Sequence, residues 1–150
     1  MMKGIRYIAA LTVTAACWRV YSGTTPQPDG PVYAQIIFTN GTAAIHKDDV
    51  ASLTNVAWTL RMWPGSVARI EGHAATSEGL DGRRMMKLSE KRANAVFMFL
   101  RTTCGLSNVL EVVGYSDSRP KIQRGRPDEG KNARVEVYIR APIERFEGPE

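Results

Sequence analysis

The chain has 150 residues, 43% hydrophobic and 23% charged, with no low-complexity tract or internal repeat; this excludes a fibrous or disordered polymer and fits one domain of ordinary size with a short appendage. The formal net charge of +5 and pI near 9.5 favour an anionic partner, whether nucleic acid, a phospholipid surface or an acidic polymer, without selecting among them. Two cysteines are too few for a disulfide framework or a cysteine-rich metal site.

Lys3 and Arg6 precede an apolar run from Tyr7 to Cys17. The run is shorter than the roughly 20 residues a spanning helix needs. A basic start, an apolar middle and small residues at the end have the form of a bacterial export signal. Thr14-Ala15-Ala16-Cys17 resembles the lipobox of bacterial lipoproteins, with Thr14 where Leu or Val is usual. That resemblance implies acylation of Cys17 and, with Trp18 rather than Asp next, sorting to the outer membrane. Residues 1–17 are therefore expected to be signal, and 18–33, with Pro26, Pro28, Pro31, Gly23 and Gly30, an extended tether.

Residues 32–38 are β-branched and aromatic and predict a first strand, turned by Thr39-Asn40-Gly41-Thr42. Asp48 or Asp49 caps a predicted helix to about Trp63, with Val50, Leu53, Ala57 and Leu60 at helical spacing. Pro64-Gly65 stops it, residues 67–72 form a second strand, and a polar loop runs from His73 to Gly82. A long helix over 83–104 follows, closed by Gly105. Residues 109–115 are almost continuously apolar and predict a central strand. Residues 134–140 alternate, with Val135, Val137 and Ile139 on one face and Arg134, Glu136, Tyr138 and Arg140 on the other. Residues 142–150 form a flexible tail. The order β-α-β-α-β-β suits an α+β two-layer sandwich, a mixed sheet with the helices on one face.

Arg92 is the anomaly. On the long helix, Met85, Leu88, Ala95, Val96 and Phe99 form an apolar stripe, and Arg92 sits in its middle. A guanidinium keeps its charge, and burying it unpaired is costly. Either an internal carboxylate, such as Glu71 or Asp117, meets it, or an external anion does. The loops after the first two strands open on the edge where the long helix begins, and that edge collects N–H donors into an anion site.

Enzyme signatures are absent. His46 and His73 stand in no metal-spaced cluster, and no nucleophile elbow, phosphate loop or dinucleotide fingerprint occurs. Glu78 and Asp81 could be drawn as a carboxylate pair, but loop acids are ordinarily solvated. Arg83-Arg84 and the basic stretch 121–126 lack interleaved aromatics, which argues for solvated surface rather than a nucleic-acid site. No catalytic residue, cofactor or metal is expected, and no nucleic-acid partner.

Four fragments stand in order: Ile70-Glu71-Gly72-His73, Leu88-Ser89-Glu90-Lys91-Arg92-Ala93, Val113-Gly114-Tyr115-Ser116-Asp117-Ser118-Arg119-Pro120 and Asn132-Ala133-Arg134-Val135-Glu136-Val137. Together they resemble the C-terminal domain of the OmpA family, the peptidoglycan-binding module shared with Pal lipoproteins and flagellar stator proteins. Its usual strings are G-H-T-D, L-S-x-x-R-A, G-Y-G-x-x-x-P and N-R-R-V-E-I. The resemblance covers residues 34–139 within an expected domain of 34–141. It implies that Arg92 holds a carboxylate of the diaminopimelate in the peptidoglycan stem peptide. The Asp that takes the ligand's ammonium group in the family is Ala75 here, so Glu78 or Asp81 becomes its candidate replacement. Asn40, Thr42, Asn132 and Arg134 are the further candidate contacts.

The resemblance thus implies an outer-membrane lipoprotein with its domain in the periplasm, bound non-covalently to peptidoglycan. The alternative is a structural part of an envelope-spanning secretion machine of the type IVB (Dot/Icm-like) kind, with a degenerate wall site and other envelope proteins as partners.

Overall fold

The computed structural model describes residues 32–140. The signal with Cys17, most of the tether and the tail from 141 onward lie outside the described residues. The elements run β1 (Ala34–Ile37), α1 (Val50–Met62), β2 (Val67–Gly72), α2 (Gly82–Met98), β3 (Val109–Gly114) and β4 (Arg134–Arg140). Short 3-10 turns occupy Lys47–Asp49, Thr76–Glu78 and Glu129–Asn132. The long helix ends in a wide π turn, Phe99–Thr103, with the Cys104 N–H donating to Phe99 O at 3.0 Å.

The sheet order is β1-β4-β2-β3. β4 pairs antiparallel with both β1 and β2, and β2 pairs parallel with β3. The helices share one face of this mixed sheet, as the α+β reading expects. Their inward residues Leu53, Val56, Leu60, Val96 and Leu100 pack with Ile36, Ile70, Val135 and Val137, all fully buried. Each such side chain contributes about 1.5–3 kcal/mol by leaving water. Val50, expected on the inner stripe of α1, is exposed, and Val56 takes the inward position.

β3 is an edge strand, not a central one; β4 holds the middle with β2. The inner residues of β3, Leu110 and Val112, pack on the core, while Tyr115 just beyond it is buried beneath the loop that follows. The outer face is only partly covered, with Val109 exposed, so the apolar run does not mark a strand with neighbours on both edges.

α2 crosses the sheet closely. Gly72 and Gly114 are register partners on β2 and β3. A Cβ on Gly72 would collide with the Ser89 carbonyl, and one on Gly114 would lie 2.8 Å from Ser89 Oγ. Ser89 Oγ accepts from the Ser116 N–H at 3.0 Å, tying helix to loop. Arg92, three residues further along α2, is thereby held against the loops at the end of the sheet.

Candidate functional site

Arg92 is fully buried, and all five of its N–H donors are engaged. Nε donates to Thr42 O at 2.8 Å, Nη1 to His73 O at 3.2 Å and Nη2 to Thr39 O at 3.3 Å. The remaining two N–H groups form a fork on Glu78: Nη2 to Oε1 at 2.6 Å and Nη1 to Oε2 at 2.8 Å. The Phe38 ring lies beside the guanidinium, 5.4 Å from its carbon.

Glu78 is held from two further sides. The Gly41 N–H donates to Oε1 at 2.7 Å and the Ala75 N–H to Oε2 at 2.9 Å. Each carboxylate oxygen thus accepts one guanidinium and one backbone N–H. Burial opposes the charge, but the hydrogen bonds from Arg92, Gly41 and Ala75 prevail and hold the carboxyl below its ordinary pKa. These four donors constitute a carboxylate receptor, assembled from the loop after β1, the loop after β2 and the inner face of α2.

The internal partner of Arg92 is therefore Glu78, rather than Glu71 or Asp117. Glu71 pairs with Arg69 at 2.8 Å, and Asp117 accepts from Ser116 Oγ at 3.2 Å. Asp81 is not brought to Arg92. It caps α2, accepting from the Arg84 N–H at 2.9 Å. The receptor's donors come from loops and a side chain, because the helix end is already occupied by its own cap. Thr42 contributes its backbone carbonyl, while its hydroxyl donates to Thr39 O at 3.0 Å. Asn40 lies in the exposed turn after β1. Asn132 fixes a loop: its Oδ1 accepts from the N–H groups of Lys121 and Ile122 at 2.9 and 3.0 Å.

Arg134 lies on the sheet face away from the helices, in a buried charge cluster that the alternation of β4 does not reveal. The register sets Glu71 directly across from Glu136, two like charges that repel. Arg69 donates to Glu71 at 2.8 Å and Arg134 to Glu136 at 2.8 Å. Lys121 bridges to Glu136, and Arg119 lies over the Tyr115 ring at 3.9 Å. Part of the basic stretch after β3 is therefore the counter-charge of this face. The same R-x-E spacing on two strands, Arg69-x-Glu71 on β2 and Arg134-x-Glu136 on β4, is the sequence signal that marks it. Burial opposes ionisation of Glu136, yet bonds from Arg134, Lys121 and Tyr138 push its pKa down to about 2.

His73 is buried in the same cluster, its ring stacked on Tyr115 at 5.6 Å and Nε2 3.8 Å from Glu136. Burial first, and then the nearby Arg134 charge, lower its pKa to about 3, so it is neutral. Glu71, His73 and Glu136 can bring three ligand atoms within 4.8 Å of one another, a grouping their sequence spacing does not show. They suit a cation poorly, since Arg69, Arg119, Arg134 and Lys121 already surround the two carboxylates. An open cleft of about 210 Å³ lies nearby, lined by Ala74, Thr76, Asp117, Ile122, Arg124 and Asn132. Cys104 is a free thiol, partly buried. No helix among the described residues is long and apolar enough to cross a membrane.

No curated protein matches the sequence. Solved structures do match in fold. The peptidoglycan-associated lipoprotein from Burkholderia pseudomallei aligns with a TM-score of 0.65 at 20% identity, over 71% of this chain and 89% of that one. The C-terminal domain of Helicobacter pylori MotB gives 0.61 at 19%, over 72% and 84%. The cell wall anchor of the type VI secretion system from Pseudomonas aeruginosa gives 0.58 at 24%, over 71% and 75%. Residues 37–134, from the end of β1 to the start of β4 and including both helices, match the model of the OmpA family, and to that family the chain belongs.

Proposed function

We propose that the domain binds peptidoglycan non-covalently, with Arg92 receiving a carboxylate of the diaminopimelate stem peptide, and that it anchors the cell envelope. The observation that carries the reading is the four-donor carboxylate receptor around Arg92. It stands on the family's arginine position, and the relatives of like fold include a peptidoglycan-associated lipoprotein and a cell wall anchor. Asp117 and Arg124 in the adjoining cleft offer one charge of each sign to the rest of a zwitterionic ligand. The domain acts by binding rather than catalysis: Glu78 and Asp81, the acids that could be drawn as a pair, serve an arginine and a helix cap.

The proposal extends to the export route: Cys17 carries lipid, residues 18–33 form the tether, and the domain works in the periplasm beside the outer membrane. Palmitate should label the wild-type chain and not Cys17→Ser; an unlabelled wild type removes the anchor.

The binding test is retention on purified sacculi, comparing wild type with Arg92→Ala and with Arg92→Lys, each checked for folding by circular dichroism. Wild type is retained and the folded Arg92 variant is not. Equal retention of both, or of neither, sinks the diaminopimelate reading.

A second reading has its own observations. Ala75 stands where the family has its ammonium-binding Asp, and the receptor is filled by the chain's own Glu78. These favour a domain kept as a structural part of an envelope secretion machine of the type IVB kind, its wall site degenerate. Co-purification of other envelope proteins with the chain, together with no sacculus retention, is the pattern that reading requires.

A further inference from the structure

Glu78 supplies to the receptor what a bound carboxylate would supply. Both of its oxygens are taken, each by one guanidinium and one backbone N–H, and its side chain is 1% exposed. Yet it is not carried by a core element. It ends the three-residue 3-10 turn Thr76–Glu78, between two loop segments, with Ser77 and Gly79 exposed. Gly79 follows at φ 66°, a left-handed backbone that other residues adopt only under strain. The turn is closed by two backbone bonds, Glu78 N–H to Ala75 O and Gly79 N–H to Thr76 O, at 3.0 and 3.1 Å, and tied at its first residue by the Thr76 hydroxyl to Glu129, so Glu78 sits at its free end. Arg92 is fixed more firmly, by the packing of α2 on the sheet and, at three of its N–H groups, by the carbonyls of Thr39, Thr42 and His73.

We propose that Glu78 is a built-in competitor, seated where a ligand carboxylate binds, and that a carboxylate-bearing ligand enters by displacing it as the Thr76–Glu78 turn swings out. The exchange conserves every hydrogen bond at the receptor, because the incoming carboxylate accepts the same four donors. What the external ligand must overcome is the high effective concentration of a group tethered a few residues from its seat. The competition lowers the apparent affinity by the fraction of time the seat is open. This inference rests on reading Arg92 as the ligand arginine; the ligand class, a free carboxylate, follows from the donor set.

The test removes the competitor and offers a replacement. Glu78→Ala leaves a carboxylate-sized vacancy beside a buried guanidinium, so the full chain melts lower by about 10 °C or more. Sodium acetate, against sodium chloride at equal ionic strength, raises the melting temperature of Glu78→Ala saturably and leaves the wild type unmoved. Glu78→Asp, which keeps the charge on a shorter arm, serves if the alanine variant fails to fold, and responds to acetate in the same direction. A diaminopimelate-containing stem peptide binds the variant at least ~10-fold more tightly than the wild type, the gain expected when a tethered competitor is removed. Absence of any acetate response in both variants, an equal response in the wild type, or equal affinity of variant and wild type for the stem peptide overturns the proposal. Sacculus retention separates it from the wall reading. If the stem peptide binds the variant more tightly than the wild type but neither protein binds sacculi, the competitor stands and the wall reading falls. If wild type and variant bind sacculi equally, the wall reading stands and the competitor falls.

Discussion

The backbone carbonyl of Ser89 rests directly on Gly72, with the Ser89 carbonyl carbon 2.9 Å from where a Cβ would lie and the Ala93 methyl at 3.0 Å. This contact sets the distance between α2 and the sheet, and so the depth at which Arg92 enters the end loops. The obstruction is helix backbone, which cannot rotate aside. Gly72→Ala should therefore cost about 3 kcal/mol or more, at or beyond the upper range for overpacking a core. Urea unfolding measures it. A loss under about 1 kcal/mol would mean that α2 can lift from the sheet at little cost.

Asn108 closes the far end of α1. Its side-chain amide donates to Leu60 O at 2.9 Å, the carbonyl that Pro64, with no N–H, cannot pair where the helix stops. The residue is buried, so truncation strands the Leu60 carbonyl away from water, while Trp63 O keeps its bonds from Ser66. Asn108→Ala should cost about 1–3 kcal/mol, read as a fall in melting temperature with unchanged secondary structure. Asn108→Asp should be worse, because it sets a carboxylate against carbonyl oxygens.

Ser116 holds a left-handed backbone at φ 53°. Its N–H is bound by Ser89 Oγ and its carbonyl accepts from the Ala74 N–H at 2.8 Å, so the surroundings impose the conformation. A side chain there costs about 1–2 kcal/mol. Ser116→Gly relieves that strain but frees the unfolded chain and gives up the Ser116 Oγ to Asp117 bond. The expected balance is a gain of about 0.5–1 kcal/mol. A destabilised glycine variant would show that the side-chain bond outweighs the strain.

Much of this architecture was legible from residue spacing. The second strand could be bounded at 67–72 because Pro64-Gly65 and the small residues after His73 punctuate it, and the burial of Arg92 followed from the 3.6-residue stripe alone. The partner of Arg92 was not legible. Glu78 precedes it by 14 residues, and their meeting depends on a 3-10 turn folding back over the end of the sheet. Periodicity says nothing of such loop geometry. The edge position of β3 is not legible because hydropathy does not report which edges of a strand are paired. The Glu71–Glu136 face is not legible for a related reason: alternation separates the two faces of a strand but does not say whether a loop lies over the charged one.

The buried face makes the domain acid-sensitive in a definite window. His73 has a folded pKa of about 3 against 6.5 in an unfolded chain. Between those values the unfolded chain binds a proton that the folded one does not, so stability falls as pH drops below about 6.5, by up to ~1.4 kcal/mol per pH unit. Near and below pH 4.5 the carboxylates join in. Glu136 and Glu78, with lowered folded pKa values, add losses of the same sign; Glu71, raised by burial over its pairing with Arg69, partly offsets them. His73→Gln keeps a neutral polar side chain but cannot titrate. Its melting temperature should be nearly flat from pH 6.5 to 5, where the wild type declines, and the two should fall together once the carboxylates protonate. Parallel profiles across the upper window would assign the acid sensitivity elsewhere.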